Sequence, residues 1–188
     1  MKILILDNYD SFTFNLVHLV AQYEGGYVVA RNNEISVEEV NDFDKILLSP
    51  GPGLPKHAGI MPELIRRYSK DKSILGVCLG LQGITENFGG KLHTLSDVLH
   101  GRQLKTLVVD DTEILFKDIP KEFEAGRYHS WVADKNNFPD ELKITATDDR
   151  GEIMALSHKE LNVKGVQFHP ESIMTPHGHL IIKNWLQD

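Results

Sequence analysis

Gly76-Val77-Cys78-Leu79-Gly80 sets the only cysteine of the chain between two glycines, each two residues away. A short apolar run, Ser73 to Val77, precedes it and a helix-forming segment follows. This spacing predicts a nucleophile elbow with sulfur in place of the serine hydroxyl. The glycines let strand and helix approach closely and relieve crowding around a strained backbone position. Such a turn puts Cys78 at a helix N-terminus, where unpaired amide N–H groups and the helix dipole favour thiolate over thiol. A lone cysteine is more often a small buried hydrophobe. The paired glycines and the strand-to-helix setting turn the reading toward a nucleophile.

A base for that sulfur is found near the other end of the chain, in His169-Pro170-Glu171. Proline biases the residue before it toward extended backbone. In an extended segment residues i and i+2 project to the same side, so the Glu171 carboxylate reaches the His169 imidazole. A carboxylate on one ring nitrogen fixes the tautomer and leaves the other as base. In a chain without an elbow this would be an ordinary structural ion pair. Together, Cys78, His169 and Glu171 form a nucleophile, a base and an orienting acid.

The loop Pro50-Gly51-Pro52-Gly53 is no phosphate cradle, because it lacks a Gly-Lys-Ser/Thr ending. As a rigid turn beside the elbow, it is placed to aim a backbone N–H at a developing oxyanion, with the Leu79 N–H as second donor. His177-Gly178-His179 has a spacing that suits a metal in a strand, but it falls where a helix begins and lacks a third ligand. His18, His57, His93, His100 and His158 read as surface or satisfied polar residues, and Asp110-Asp111 as a solvated turn.

These groups must be held by strand ends. Lys2 to Asp7 is a continuous apolar run ending in an acid, the pattern of a strand covered on both faces. Asn8-Tyr9-Asp10 turns into a helix from about Ser11 to Tyr23 with Phe12, Leu16, Leu19, Val20 and Tyr23 on one face, ended by Gly25-Gly26. A strand over Tyr27–Arg31, a short helix opened by the capping box Ser36-x-x-Glu39, a strand over 44–49 and a helix over roughly 60–70 lead to the elbow. The alternation predicts an α/β fold with a doubly wound, mostly parallel sheet and right-handed crossovers. Ligands bind such sheets beyond the carboxyl ends of the strands, where Asn8-Tyr9-Asp10, the Gly-Pro loop and Cys78 all fall. Past Gly89-Gly90, short strands over Lys91–Leu95, Leu104–Asp110, Thr112–Phe116, Gly126–Ala133, Leu142–Asp148 and Glu152–Ser157 predict a small antiparallel extension packed against that core. Val163–Phe168 returns to the core, and a last helix from about His177 buries Leu180, Ile181 and Trp185.

The 188 residues, 41% hydrophobic and 25% charged, suit one soluble domain spanning 1–188. A formal net charge of −7 with no basic stretch argues against a nucleic-acid partner. No apolar run approaches bilayer length, so no membrane partner is expected, and MKILILDNYD reads as a strand instead of a signal peptide. One cysteine cannot form an internal disulfide, and a reducing cytoplasmic home is expected.

Gly76-Val77-Cys78-Leu79-Gly80-Leu81-Gln82, Ser49-Pro50-Gly51-Pro52-Gly53 and Gly165-Val166-Gln167-Phe168-His169-Pro170-Glu171-Ser172 resemble the three signatures of the class I (triad-type) glutamine amidotransferases. Asp7-Asn8-Tyr9-Asp10-Ser11-Phe12, His100-Gly101 and Arg127-Tyr128-His129-Ser130 narrow the resemblance to the small subunits of anthranilate synthase and aminodeoxychorismate synthase. The resemblance implies a flavodoxin-like fold with Cys78 as nucleophile, His169 as general base and acid, and Glu171 as its orienting partner. It implies oxyanion N–H groups on Gly51 and Leu79, and a grip on glutamine by Gly51, Pro52, Gly53, Gln82 and the Ser130–Trp131 backbone. It further implies L-glutamine hydrolysis to glutamate and ammonia, delivered to a chorismate-binding large subunit. No cofactor is expected in this chain, magnesium being expected on that partner. Tryptophan biosynthesis is favoured over folate biosynthesis or a subunit shared by both. A stand-alone cysteine hydrolase and a non-catalytic regulatory subunit are the lesser readings. The chain departs from the family at Leu81, usually His, and Trp131, usually Leu.

Overall fold

The computed structural model describes residues 1–188. The first half alternates β1 (Ile3–Asp7), α1 (Thr13–Ala21), β2 (Tyr27–Arg31), β3 (Lys45–Leu48), α2 (Met61–Tyr68), β4 (Ser73–Val77) and α3 (Leu79–Asn87). The second half runs through β5 (Leu92–Thr94), β6 (Arg102–Val108), β7 (Glu122–Arg127), β8 (Trp131–Ala133), β9 (Leu142–Thr147), β10 (Ile153–His158), β11 (Val163–Val166) and α4 (Gly178–Gln187). Nine strands form one sheet in the order β2-β1-β3-β4-β11-β10-β9-β6-β7, and β5 pairs with β8 in a two-stranded ribbon. The five strands from β2 to β11 are parallel. The remaining four are antiparallel and hydrogen-bond onward from β11, so the extension continues the sheet edge to edge.

The parallel strands are apolar throughout because both faces are covered. Ile3 and Ile5 of β1 join Leu16, Val17 and Val20 of α1 and Ile181 and Trp185 of α4 in one core. Leu4 and Leu6, pointing the other way, join Leu64 and Ile65 of α2 and Leu79 and Ile84 of α3. That two-sided burial fixes register, since a one-residue slip would exchange the two cores.

Several local expectations are corrected. Phe12 does not lie in the core: it caps α1 and is 41% exposed, while Leu19 and Tyr23 are only partly buried. Ile181 and Trp185 of α4 are buried, but Leu180 is half-exposed. The segment 112–116 is a 3-10 turn over Ile114–Phe116, because Glu113 accepts from the Leu115 N–H and Asp110 accepts from Thr112. Such local bonds compete with a strand ladder. Asp110 is more than a solvated residue: it pairs with Lys143 at 2.8 Å, and hydrogen bonds from Lys143 and Thr112 lower its pKa to about 2. The run 126–133 is two strands in different sheets, β7 and β8, divided at Tyr128–Ser130. The capping box forms, with Ser36 N donating to Glu39 Oε2 at 2.9 Å, but it opens only one 3-10 turn, Glu39–Asp42.

Candidate active site

Cys78 sits between β4 and α3 with φ 52° and ψ −98°, outside the regions open to ordinary L residues, at a cost of about 1–3 kcal/mol. The chain holds it there from both sides: its N–H donates to Val166 O at 2.8 Å, and its carbonyl accepts from Gln82 N at 3.1 Å. A Cβ on Gly76 would collide with the Gly80 carbonyl carbon, and one on Gly80 would lie 2.8 Å from Leu48 Cβ. These two positions therefore admit α3 directly onto β3 and β4.

β11 lies beside β4, with Gly165 opposite Gly76, so the residues following the two strands are neighbours. His169 Nδ1 and Glu171 Oε1 are 2.6 Å apart, with side chains 4% and 1% exposed. Burial opposes charge on the His169 imidazole, but the proximity of Cys78 and the hydrogen bond and negative charge of Glu171 outweigh it and raise its pKa to about 10. With Nδ1 held by Glu171, Nε2 is the atom left for proton exchange, and neither it nor Glu171 Oε2 has a hydrogen-bond partner. The backbone is anchored as firmly: His169 N donates to Gly126 O at 3.0 Å, and Thr175 Oγ1 donates to His169 O at 2.7 Å.

The Gly-Pro loop is set by Asn8. Its N–H donates to Ser49 Oγ at 2.8 Å, its amide donates to Ser49 O at 2.9 Å, and Asn32 donates to its Oδ1 at 3.0 Å. A side chain on Gly51 would strike the Asn8 carbonyl and lie 2.9 Å from Leu79 Cδ2. The loop backbone thus comes close to the start of α3. Gly51 N–H has no backbone acceptor, and Leu79 N–H precedes the first intrahelical bond of α3 and is an orphan donor.

A cavity of about 180 Å³ opens at this edge, lined by Gly51, Pro52, Gly53, Cys78, Gln82, Ser130 and Trp131 together with Tyr128 and His129. Drug-sized sites run from about 300 Å³ upward, so this volume suits a ligand of amino-acid size. No residue with a fixed charge lines it, so the charged ends of a ligand would meet backbone groups. Burial, with the nearby Arg127 and His169 charges, lowers the pKa of His129 to about 3 and leaves it neutral. His169 and Glu171 stand behind the lining, and Glu171 borders a second groove of about 370 Å³ on the outer side.

Two contributors, Gln167 and Asn8, carry no conspicuous signal in the sequence. Gln167 Nε2 donates to Cys78 Sγ at 3.4 Å, and its Oε1 accepts from Gln82 Nε2 at 3.3 Å. Its place two residues before His169 on a strand end was the available clue. Gln82 Nε2 also donates to Trp131 O at 2.9 Å, so its amide braces the cavity wall. Asn8 acts only through the loop it holds. No cluster of three His, Cys, Asp or Glu side chains is arranged for a metal; His177 caps α4, while His179 is exposed.

The family model of glutamine amidotransferase class-I matches residues 4–188. The chain belongs to the class I glutamine amidotransferases. It is 45% identical to a proposed anthranilate synthase component II of Haemophilus influenzae, over 99% of this chain and 96% of that one. It is 43% identical to anthranilate synthase component 2 of Pyropia yezoensis, over 98% of each. Two other relatives, longer proteins of multifunctional and bifunctional type, are spanned over only 24% and 32% of their length. A crystal structure from Thermoplasma acidophilum, of a chain described as a GMP synthase component, shares the fold, with a TM-score of 0.89 at 24% identity, covering 100% of this chain and 92% of that one. In this amidotransferase the two departures lie apart. Leu81 is fully buried against Gly165, facing β11, whereas Trp131 lines the cavity.

Proposed function

We propose that this chain is the glutaminase subunit of a chorismate-aminating synthase, of the anthranilate synthase type, and that Cys78, His169 and Glu171 are its catalytic triad. The observation that carries the reading is the juxtaposition of a strained cysteine at a helix N-terminus with a buried His–Glu pair at the end of the neighbouring strand, beside an amino-acid-sized cavity. The names and full-length coverage of the relatives support the tryptophan branch.

In this reading the Cys78 thiolate adds to the glutamine carboxamide carbon, and Gly51 and Leu79 N–H groups take the charge that develops on oxygen. His169, protonated and held by Glu171, gives its proton to the departing nitrogen, so the C–N bond breaks and ammonia leaves. The neutral imidazole then takes a proton from water as that water attacks the thioester, breaking the C–S bond, releasing glutamate and returning the thiolate beside a protonated His169. Gly51 to Gly53, Gln82 and the Ser130–Trp131 backbone hold the amino-acid end. Ammonia freed into water would be protonated, so a large subunit that binds chorismate must close over the site. Phe12 and Ile173, 41% and 97% exposed, line one groove with Tyr128, and with Tyr9, 50% exposed on the loop after β1, they form the apolar edge for that contact. Magnesium belongs to that large subunit; the location is the cytoplasm.

A chloroketone analogue of glutamine tests the site: a single adduct on Cys78 is expected, and an adduct elsewhere overturns the assignment. Supplying glutamine and chorismate with the large subunit tests the function. Glutamate with anthranilate is expected; aminodeoxychorismate would move the chain to the folate branch. No glutamate in a complex that still aminates chorismate from free ammonia would make it a regulatory subunit.

A further inference from the structure

The catalytic cavity and the outer groove share one lining residue, Tyr128. Its ring lies 4.8 Å from the His169 ring, tilted by 59°, while its hydroxyl is 3.2 Å from Ser172 Oγ. Ring and hydroxyl thus grip both ends of the His169–Ser172 turn, the segment that presents the imidazole to Cys78 and the carboxylate to the imidazole. Tyr128 is also in contact with two exposed rings, Phe12 at 5.8 Å and His100 at 5.6 Å. Phe12 lines the groove.

We propose that Tyr128 is a positioning residue that clamps the His169 imidazole against Glu171 and transmits to it any change in the outer groove, through Phe12. The inference rests on the glutaminase reading for its kinetic consequence, but not for its structural one. Aromatic contacts of this geometry are each weak, yet a base displaced by about 1 Å loses on the order of 100-fold in rate. The clamp therefore acts through alignment. The charged and titratable groups facing His169 are Glu171, Cys78 and Tyr128, with His129 close enough to interact. A looser imidazole would lose its contacts to the first two and titrate nearer its ordinary value.

The test follows the His169 ring by NMR titration, alongside steady-state glutaminase kinetics with the large subunit present. Tyr128→Leu should lower the His169 midpoint by about one unit or more and reduce kcat by about 10-fold or more, with KM changed less than about threefold. Tyr128→Phe, which keeps the ring and loses the Ser172 contact, should give a smaller fall in both. Phe12→Leu should shift the His169 midpoint in the same direction as Tyr128→Leu. A folded Tyr128→Leu protein with unchanged midpoint and kcat overturns the clamp. Should that variant not fold, an unchanged Tyr128→Phe protein overturns it equally. A Phe12→Leu protein identical to wild type removes the coupling to the groove. Absence of glutamate from the wild-type complex with the His169 shifts intact would refute the glutaminase reading and leave the clamp standing.

Discussion

Replacing Glu171 by Gln removes one charge and no volume from a pair that is almost wholly buried, so its effect is electrostatic. His169 is lifted from 6.5 to about 10 against the opposing effect of burial, which at about 1.4 kcal/mol per unit is about 5 kcal/mol. The support comes from two groups, Cys78 and Glu171. Glu171 contributes both a hydrogen bond and its negative charge to that support. Glu171→Gln should therefore lower the His169 midpoint. The amide can also donate, which lets the imidazole adopt the tautomer with its N–H on the wrong nitrogen. Charge and tautomer effects together predict a fall in kcat of about 100-fold or more. The assay is glutamate release by the assembled synthase, with ammonia-dependent amination of chorismate as a control that should stay unchanged. A kcat within threefold of wild type in a folded Glu171→Gln protein would refute the assignment of Glu171 as orienting acid.

Three more outcomes follow from the packing and charge of the site. Gly76→Ala inserts a methyl into the Gly80 backbone and should cost about 1–3 kcal/mol of stability, read as a lower urea midpoint, with kcat reduced because α3 is displaced. Trp131→Leu should leave glutaminase kcat within about threefold, because the hydrogen bond from Gln82 goes to the Trp131 carbonyl and survives the change; a larger loss would show that the indole itself orders the site. Two histidines set the pH limits. His129, lowered to about 3, contributes stability that is complete above 6.5 and is lost as pH falls toward 3; His169, raised to about 10, contributes stability that is complete below 6.5 and is lost as pH rises toward 10. Urea midpoints should accordingly fall on both sides of about pH 6.5, and His129→Phe should flatten the acid side alone.

One rim of the site is left apolar and exposed, at Phe12 and Ile173. Phe12, placed by its helical spacing with the core residues Leu16 and Val20, is turned outward at the cap of α1, where it meets Tyr128 and borders the groove. Helical periodicity counts faces along a helix and does not show where the helix stops being covered. The split of residues 126–133 has a similar origin. Alternation predicts extended chain in both halves, and both are extended, but Gly126 pairs with His169 and the chain then crosses the cavity before pairing again. Nothing local to Tyr128–Ser130 announces that crossing.

The elbow was legible from residues 73–83 alone, because a strained turn that only flanking glycines can accommodate is a local demand on sequence. The His169–Glu171 contact was legible for the same reason, proline and an i, i+2 spacing being enough to direct two side chains. Apolar runs in β1, β3 and β11 likewise announced strands covered on both faces. The meeting of Cys78 with His169 was different. Their approach depends on β11 pairing with β4 across nearly half the sequence, and on Gly165 facing Gly76 in that register. Tertiary structure also decided that Gln167, Asn8 and Tyr128 serve the site, since each acts through a partner distant in sequence. Local sterics write themselves into a sequence; long-range register and the sharing of a wall between two cavities exist only once the sheet has closed.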